Sequence, residues 1–244
     1  MPEVPVITTA FIDWGRTIHH FALDLWFNWL ERKFGVPRRH FWDMFSHNPN
    51  GLLYAYECGQ STGVFFRRFK AALNKLAADL KREGVEMISW DLGSSEFYEE
   101  FLDNWIKIVS SFPDYPDALT LLEKLKSAGL RVYILSNTNP AHLAWTKKSS
   151  RDLLRLVDRF IASCDSDVRC RKVRISEGMR FSDATRIYRK ALVIARCDHP
   201  GKAVLLDDVF DFPVIFRGMG GNGIQFTGCW TKVEAEFSYF GIKL

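Results

Sequence analysis

The chain has 244 residues, 47% of them hydrophobic and 25% charged, with a net charge of +4. That is room for one core domain plus an insertion, in an ordinary globular composition. The charge is mild, and no Lys/Arg run is interleaved with aromatics, which argues against a nucleic-acid partner; no uncharged stretch reaches the ~18 apolar residues of a membrane span.

From the N-terminus, Val6 to Ile12 reads as an apolar strand ending at Asp13. A signal peptide is not expected, because the start lacks a basic region and the apolar stretch carries Asp13. A helical region follows. Phe21, Leu23, Leu25, Trp26, Trp29 and Leu30 cover one helix face, and Asn48-Pro49-Asn50-Gly51 reads as a turn. Phe65, Phe66, Phe69, Ala72, Leu73 and Leu76 repeat at helical spacing, with Arg67, Arg68 and Lys70 opposite. Glu96 to Ile108 forms a third helix, striped by Phe97, Phe101, Leu102 and Trp105.

After Pro113 strands and helices alternate. Pro116 to Ala128 is an amphipathic helix with Gly129 as its C-cap. A strand over Leu130 to Leu135 follows, then helices near Ala141 to Lys148 and Arg151 to Arg159. A short strand from Phe160 to Ser163 and a helix from Arg186 to Arg196 come next. Strands at Ala203 to Leu206 and Gly223 to Phe226 close the series. About five parallel strands alternating with helices predict an α/β, doubly wound, Rossmann-like sheet. The helical stretch predicts an all-helical cap inserted after the first strand. The boundaries are 1–18 and 113–244 for the core, and 19–112 for the cap.

The five cysteines are odd in number and none are spaced Cys-x-x-Cys, which points to reduced thiols in a cytoplasmic protein and away from a zinc site.

Three strands end in polar clusters: Asp13, Ser136-Asn137 and Asp207-Asp208. Ligands bind outside the carboxyl ends of strands in open α/β sheets. Asp13 reads as a nucleophile, a metal ligand or a turn cap. Ser136-Asn137, before Thr138-Asn139-Pro140, reads as an anion cradle or a helix cap. Adjacent carboxylates at Asp207-Asp208 repel each other unless a cation such as Mg²⁺ sits near them; the alternative is one capping and one solvated Asp.

These motifs resemble the haloacid dehalogenase superfamily, in the branch with a helical cap inserted after the first motif. The matches are Phe11-Ile12-Asp13-Trp14-Gly15-Arg16-Thr17, Tyr133-Ile134-Leu135-Ser136-Asn137-Thr138-Asn139, Val168-Arg169-Cys170-Arg171-Lys172 and Leu205-Leu206-Asp207-Asp208, in the family's order. Glu57-Cys58-Gly59-Gln60-Ser61, Arg186-Ile187-Tyr188 and Gly223 to Thr227 are weaker echoes.

The resemblance implies a Mg²⁺-dependent hydrolase, a phosphatase on a small phosphorylated metabolite through an aspartyl-phosphate on Asp13. Catalysis falls to Asp13, Ser136 and Lys172. Phosphoryl binding falls to Trp14, Gly15, Arg16, Ser136 and Asn137. The metal falls to Asp13, Asp207, Asp208 and the Gly15 carbonyl. The alternatives are an impaired binding protein and a 2-haloacid dehalogenase.

Gly15 stands where most phosphatase members carry the Asp that protonates the leaving group. This places the chain nearest to the sugar-phosphate phosphatase and epoxide-hydrolase N-domain-like branch, with activity in doubt. His19, His20 and Glu57 are the candidate proton donors. Arg16 takes the place of a usual Gly, to bind a substrate anion, to obstruct the site or to face solvent. A polar insertion, Ile175 to Thr185, is expected to be a loop; it puts the register of Lys172 in question and makes Arg180 an alternative cation.

Overall fold

The computed structural model describes residues 5–45, 51–175 and 178–244. The turn expected over 48–51 falls, but for Gly51, outside them. The core is one five-stranded parallel sheet in the order β3-β2-β1-β4-β5. Its strands are β1 (Thr9–Ile12), β2 (Arg131–Ser136), β3 (Arg159–Ala162), β4 (Ala203–Asp207) and β5 (Asn222–Gln225). Between β1 and β2 the chain leaves the sheet and builds a cap. The cap helices are α1 (Leu23–Phe34), α2 (Arg39–Trp42), α3 (Leu52–Glu57), α4 (Thr62–Arg82) and α5 (Ser95–Ser110). The core helices follow: α6 (Pro116–Ser127), α7 (Pro140–Ser149), α8 (Arg151–Leu154), α9 (Phe181–Ala184), α10 (Arg186–Ile194), α11 (Asp211–Gly218) and α12 (Trp230–Tyr239).

Alternation along the strands divides the core into two layers. Ala10, Ile12, Val132, Ile134, Val204 and Leu206 face α6 and α12. Phe11, Tyr133, Leu135 and Leu205 face α10 and α11. Side chains on alternate residues point to opposite sheet faces, so each strand feeds both layers. That makes the strands almost wholly apolar, as expected of a parallel sheet covered on both sides.

The cap has an apolar core of its own, running from Trp26 to Val109. Trp26 is fully buried and meets Trp29, Phe45, Phe69, Phe101 and Trp105 at ring-centroid distances of 4.7 to 5.9 Å. This cluster explains the aromatic abundance read from the sequence. Helix starts in the cap are fixed by hydroxyl caps: Ser61 accepts from Val64 N–H, and Ser94 from Phe97 N–H.

Several boundaries differ from the sequence reading. β1 begins at Thr9, and Val6 is exposed. The helix expected over 151–159 stops at Leu154, because Arg159 already pairs in β3 opposite Tyr133. The insertion after Ile175 is not all loop, since it contains α9. Helices α11 and α12 carried no expectation; Pro213 in the first turn of α11 masks it as a breaker. Among the described residues, no helix is long and apolar enough to cross a membrane.

Candidate active site

Sheet register brings the carboxylates together. Ile12 pairs with Ile134 on one side and with Leu206 on the other. One residue further along, Asp13 therefore stands level with Asp207. The Asp13 N–H donates to the Leu206 carbonyl at 2.8 Å, which holds the chain at that level as it leaves β1. Asp13 and Asp207 share the face of Phe11 and Leu205 by strand alternation. Ser136, at the end of β2, is also buried.

The loop after β3 returns across this edge and delivers Lys172. The Lys172 ammonium donates to Asp13 Oδ1 and to Asp207 Oδ2. It is only 1% exposed, and Asp207 is fully buried. The insertion thus leaves Lys172 at the strand ends, while Arg180 lies on the surface and pairs with Asp183. Asp207 Oδ1 accepts from Val209 N–H at 3.0 Å. Oxygens of Asp13, Asp207 and Asp208 all lie within 4.8 Å of one another, a set able to hold a metal ion.

Burial pushes the Asp13 carboxyl above its ordinary range, with Lys172 opposing it. Burial also raises Asp207, with Lys172 opposing and Asp13 adding to the rise. Asp208 is raised to about 6 by burial and by Asp13. Burial would lower Lys172, but Asp13 and Asp207 outweigh it and hold the ammonium above the usual lysine value. One cation among three crowded carboxylates leaves the cluster short of positive charge. A divalent cation would supply it.

Asn137 has a role the sequence did not reveal. Its side-chain amide accepts from the Lys172 N–H at 2.6 Å and donates to the Lys172 carbonyl at 2.8 Å. This two-way clamp ties the end of β2 to the backbone that carries the ammonium. Nearby, Ser163 Oγ accepts from Thr138 N–H and donates to the Thr138 carbonyl, both at 3.0 Å, bracing the same turn from β3.

Position 16 has a backbone reason for its usual glycine. Arg16 has φ of 61°, a left-handed conformation that L side chains seldom adopt. Its side chain is exposed, with the guanidinium 5.0 Å from the Phe21 ring centroid. Gly15 faces the same ring, and a Cβ there would lie 3.4 Å from Phe21.

The doubt raised by Gly15 is corrected by this geometry. The carboxylate set is complete: Asp13, Asp207 and Asp208 come from the ends of β1 and β4, and position 15 is not among them. Gly15 removes nothing from that cluster. Neither the inference of impaired catalysis nor the placement nearest a branch defined by Gly at that position stands.

A cavity of about 130 Å³ lies between cap and core, walled by Trp14, Gly15, Ser136 and Asn137 from the core and by Leu53, Glu57 and Trp105 from the cap. Of the three candidate proton donors, His19 and Glu57 line it and His20 does not. Both His19 ring nitrogens face acceptors, Asp114 Oδ1 at 2.7 Å and the Val109 carbonyl at 2.6 Å. His19 is therefore a brace between the first turn and the end of α5. His20 packs against Phe112 and Tyr115. Glu57 meets Arg171 Nε at 3.2 Å, so the cap reaches the residue next to Lys172. The turn behind it needs Gly59, which has φ of 95°; a Cβ there would come within 2.9 Å of the Cys164 carbonyl.

No protein-family model and no curated protein matches the chain. Solved structures match it in shape. A predicted HAD-like family hydrolase from Porphyromonas gingivalis aligns with a TM-score of 0.63 at 17% identity, over 96% of this chain and 98% of that one. A HAD family enzyme from Bacteroides thetaiotaomicron, in complex with magnesium and inorganic phosphate, gives 0.63 at 17% identity, over 93% and 98%. The chain shares the fold of these HAD-like enzymes. An L-2-haloacid dehalogenase from Xanthobacter autotrophicus is also similar, with a TM-score of 0.52 at 18% identity over 97% and 84%. At these identities the likeness speaks for the fold.

Two stability outcomes follow from the site itself. Lys172→Met leaves Asp13 and Asp207 buried without their cation, so it should lower unfolding free energy by about 3–5 kcal/mol in urea titrations. His142, in the cavity wall, donates from Nε2 to the Trp105 carbonyl and accepts at Nδ1 from Asn139, which fixes it neutral. Burial pushes its pKa down to about 4 from 6.5. The unfolded chain takes up the proton first as pH falls. His142 therefore adds full stability above pH ~6.5 and loses it towards pH 4, on the order of 3 kcal/mol. Melting temperatures of wild type and His142→Gln should converge over that window.

Proposed function

We propose that the protein is a Mg²⁺-dependent phosphohydrolase that acts on a small phosphorylated metabolite through an aspartyl-phosphate on Asp13. The observation that carries this reading is the sharing of the Lys172 ammonium between Asp13 and Asp207, with Asp208 completing a carboxylate set around a metal-sized space. Mg²⁺ takes oxygen ligands from one or two carboxylates, the substrate and water, and this donor set is all oxygen. When bound, the ion would neutralise charge on the phosphoryl oxygens.

The protein's own residues would act as follows. Asp13 attacks phosphorus as the bond to the leaving oxygen breaks, that oxygen taking its proton from water, and a second water then cleaves the aspartyl-phosphate to free phosphate; Lys172 offsets the charge gathering on both groups. Ser136 Oγ and the Asn137 N–H donate to the phosphoryl oxygens, as do the backbone N–H groups of Trp14 and Gly15. Phosphoryl transfer is governed by positioning and charge stabilisation, and a rigid strand-end cluster supplies both. Asp207, Asp208, one Asp13 oxygen and the Gly15 carbonyl would hold the ion. Asn137 would keep Lys172 in place through its backbone clamp.

In the same reading, residues 19–112 form the cap and residues 1–18 and 113–244 the catalytic core. The separate apolar cluster from Trp26 to Val109 supports that division. The cap would exclude water and select the leaving group. Five free thiols fit a reducing, cytoplasmic setting.

Dehalogenation of a 2-haloacid by the same Asp13 is less favoured. Attack on carbon needs no metal, and three clustered carboxylates have no use in it.

Phosphate release from acetyl phosphate should require Mg²⁺ and fall at least ~10³-fold in Asp13→Asn, with the circular dichroism spectrum unchanged. Equal rates in the two proteins, or full turnover in EDTA, would contradict the assignment.

A further inference from the structure

We propose that the leaving group of this phosphohydrolase is a small, uncharged, apolar alcohol, about the size of a single six-membered ring, and that sugar phosphates and metabolites with a second anionic group are excluded. The inference rests on the phosphatase reading and deepens it.

Size sets the first limit. The cavity beside Ser136 and Asn137 holds about 130 Å³. An apolar cavity of ~150 Å³ accepts benzene. A hexose ring with its full set of hydroxyls is bulkier than benzene and fits this space less well.

Wall chemistry sets the second. Trp14, Phe21, Leu53, Trp105 and Ile108 present apolar surface to the cavity. The polar groups among them are mostly committed to the protein, although the buried Trp14 Nε1–H has no partner among the described residues. His19 spans Asp114 and the Val109 carbonyl. His142 and Asn139 bond each other, and Asn139 Oδ1 also accepts from the His142 N–H at the start of α7. The Asn137 amide is taken up by Lys172. A sugar entering this space would give up water at several hydroxyls and find few partners in return, at about 1–3 kcal/mol for each group left unsatisfied.

Charge sets the third. The lining contains no Lys or Arg among the described residues, and its one carboxylate is Glu57, which faces Arg171. His142 is neutral in this environment. A second anionic group on the substrate would find no cation in the lining itself, since Arg171 is engaged by Glu57 and Arg16 lies exposed beyond the Phe21 ring.

The test compares kcat/KM for benzyl phosphate and glucose 6-phosphate, both esters of primary alcohols, with 3-phosphoglycerate as the doubly anionic case and acetyl phosphate as the compact control, all with Mg²⁺. Benzyl phosphate should exceed glucose 6-phosphate and 3-phosphoglycerate by at least ~10²-fold. Leu23→Trp, which fills the cavity from α1, should reduce the benzyl-to-acetyl phosphate ratio at least tenfold. Turnover of acetyl phosphate without any preference for the benzyl ester would overturn the proposal and leave the phosphatase reading intact. If no ester is cleaved, the phosphatase reading falls, and benzyl alcohol binding decides the cavity assignment alone. Saturable heat on calorimetric titration of benzyl alcohol, lost in Leu23→Trp, supports an apolar ring site beside Trp14 and Trp105, and its absence overturns it.

Discussion

One buried ammonium organises the site. Lys172 is shared between Asp13 and Asp207, which close neighbouring strands of a sheet that is otherwise apolar. Two buried carboxylates at that distance would repel each other, and burial alone raises both. The loop after β3 must therefore bring a cation to the strand ends, whatever the length of the segment that follows it. The Asn137 clamp on the Lys172 backbone is the second half of the same constraint. It binds the cation's main chain to the β2 turn, so Asp13, the Ser136-Asn137 turn and Lys172 are held together. Sites built on such elements hold their groups in place before substrate arrives.

Several contacts tie the cap to the core beside this unit, among them the His142 Nε2 bond to the Trp105 carbonyl. His19 braces the first turn against the end of α5 and against Asp114. Glu57, at the end of α3, faces Arg171, the residue before Lys172. Between these ties lies the small cavity. Its walls come from Trp105 and Leu53 on one side and from Trp14 and Ser136 on the other, so cap and strand ends share one boundary. A cap held this close can exclude water from the reacting centre without a separate lid.

Much of this was legible in the sequence because it depends on strands. An apolar run that ends in Asp13, Ser136 or Asp207 marks a strand and its functional end together, and parallel pairing makes those ends coincide. Lys172 was reached through the resemblance, since a basic run from Arg169 to Arg174 does not say which cation turns inward. Other features were hidden for physical reasons. The Asn137 clamp joins residues 35 apart, and nothing local encodes it. Helices α2, α3 and α9 are too short to show a period. For Arg16 the sequence left substrate binding and solvent exposure both open, and only the structure shows it at positive φ with its side chain outside. Gly15 invited the wrong inference because a missing motif residue is easy to see, whereas the intactness of the three remaining carboxylates appears only in space.

The central claim is that Asp13, Asp207, Asp208 and Lys172 together form a centre for a metal ion and a phosphoryl group. Calorimetric titration of inorganic phosphate into the protein, with and without Mg²⁺, tests it most directly. Binding should be one-to-one, should tighten at least tenfold with Mg²⁺, and should lose that enhancement in Asp208→Asn, whose half-buried side chain can be changed without disturbing the Lys172 bridge. Phosphate binding that ignores Mg²⁺, or that keeps its full Mg²⁺ dependence in a folded Asp208→Asn protein, would contradict the account.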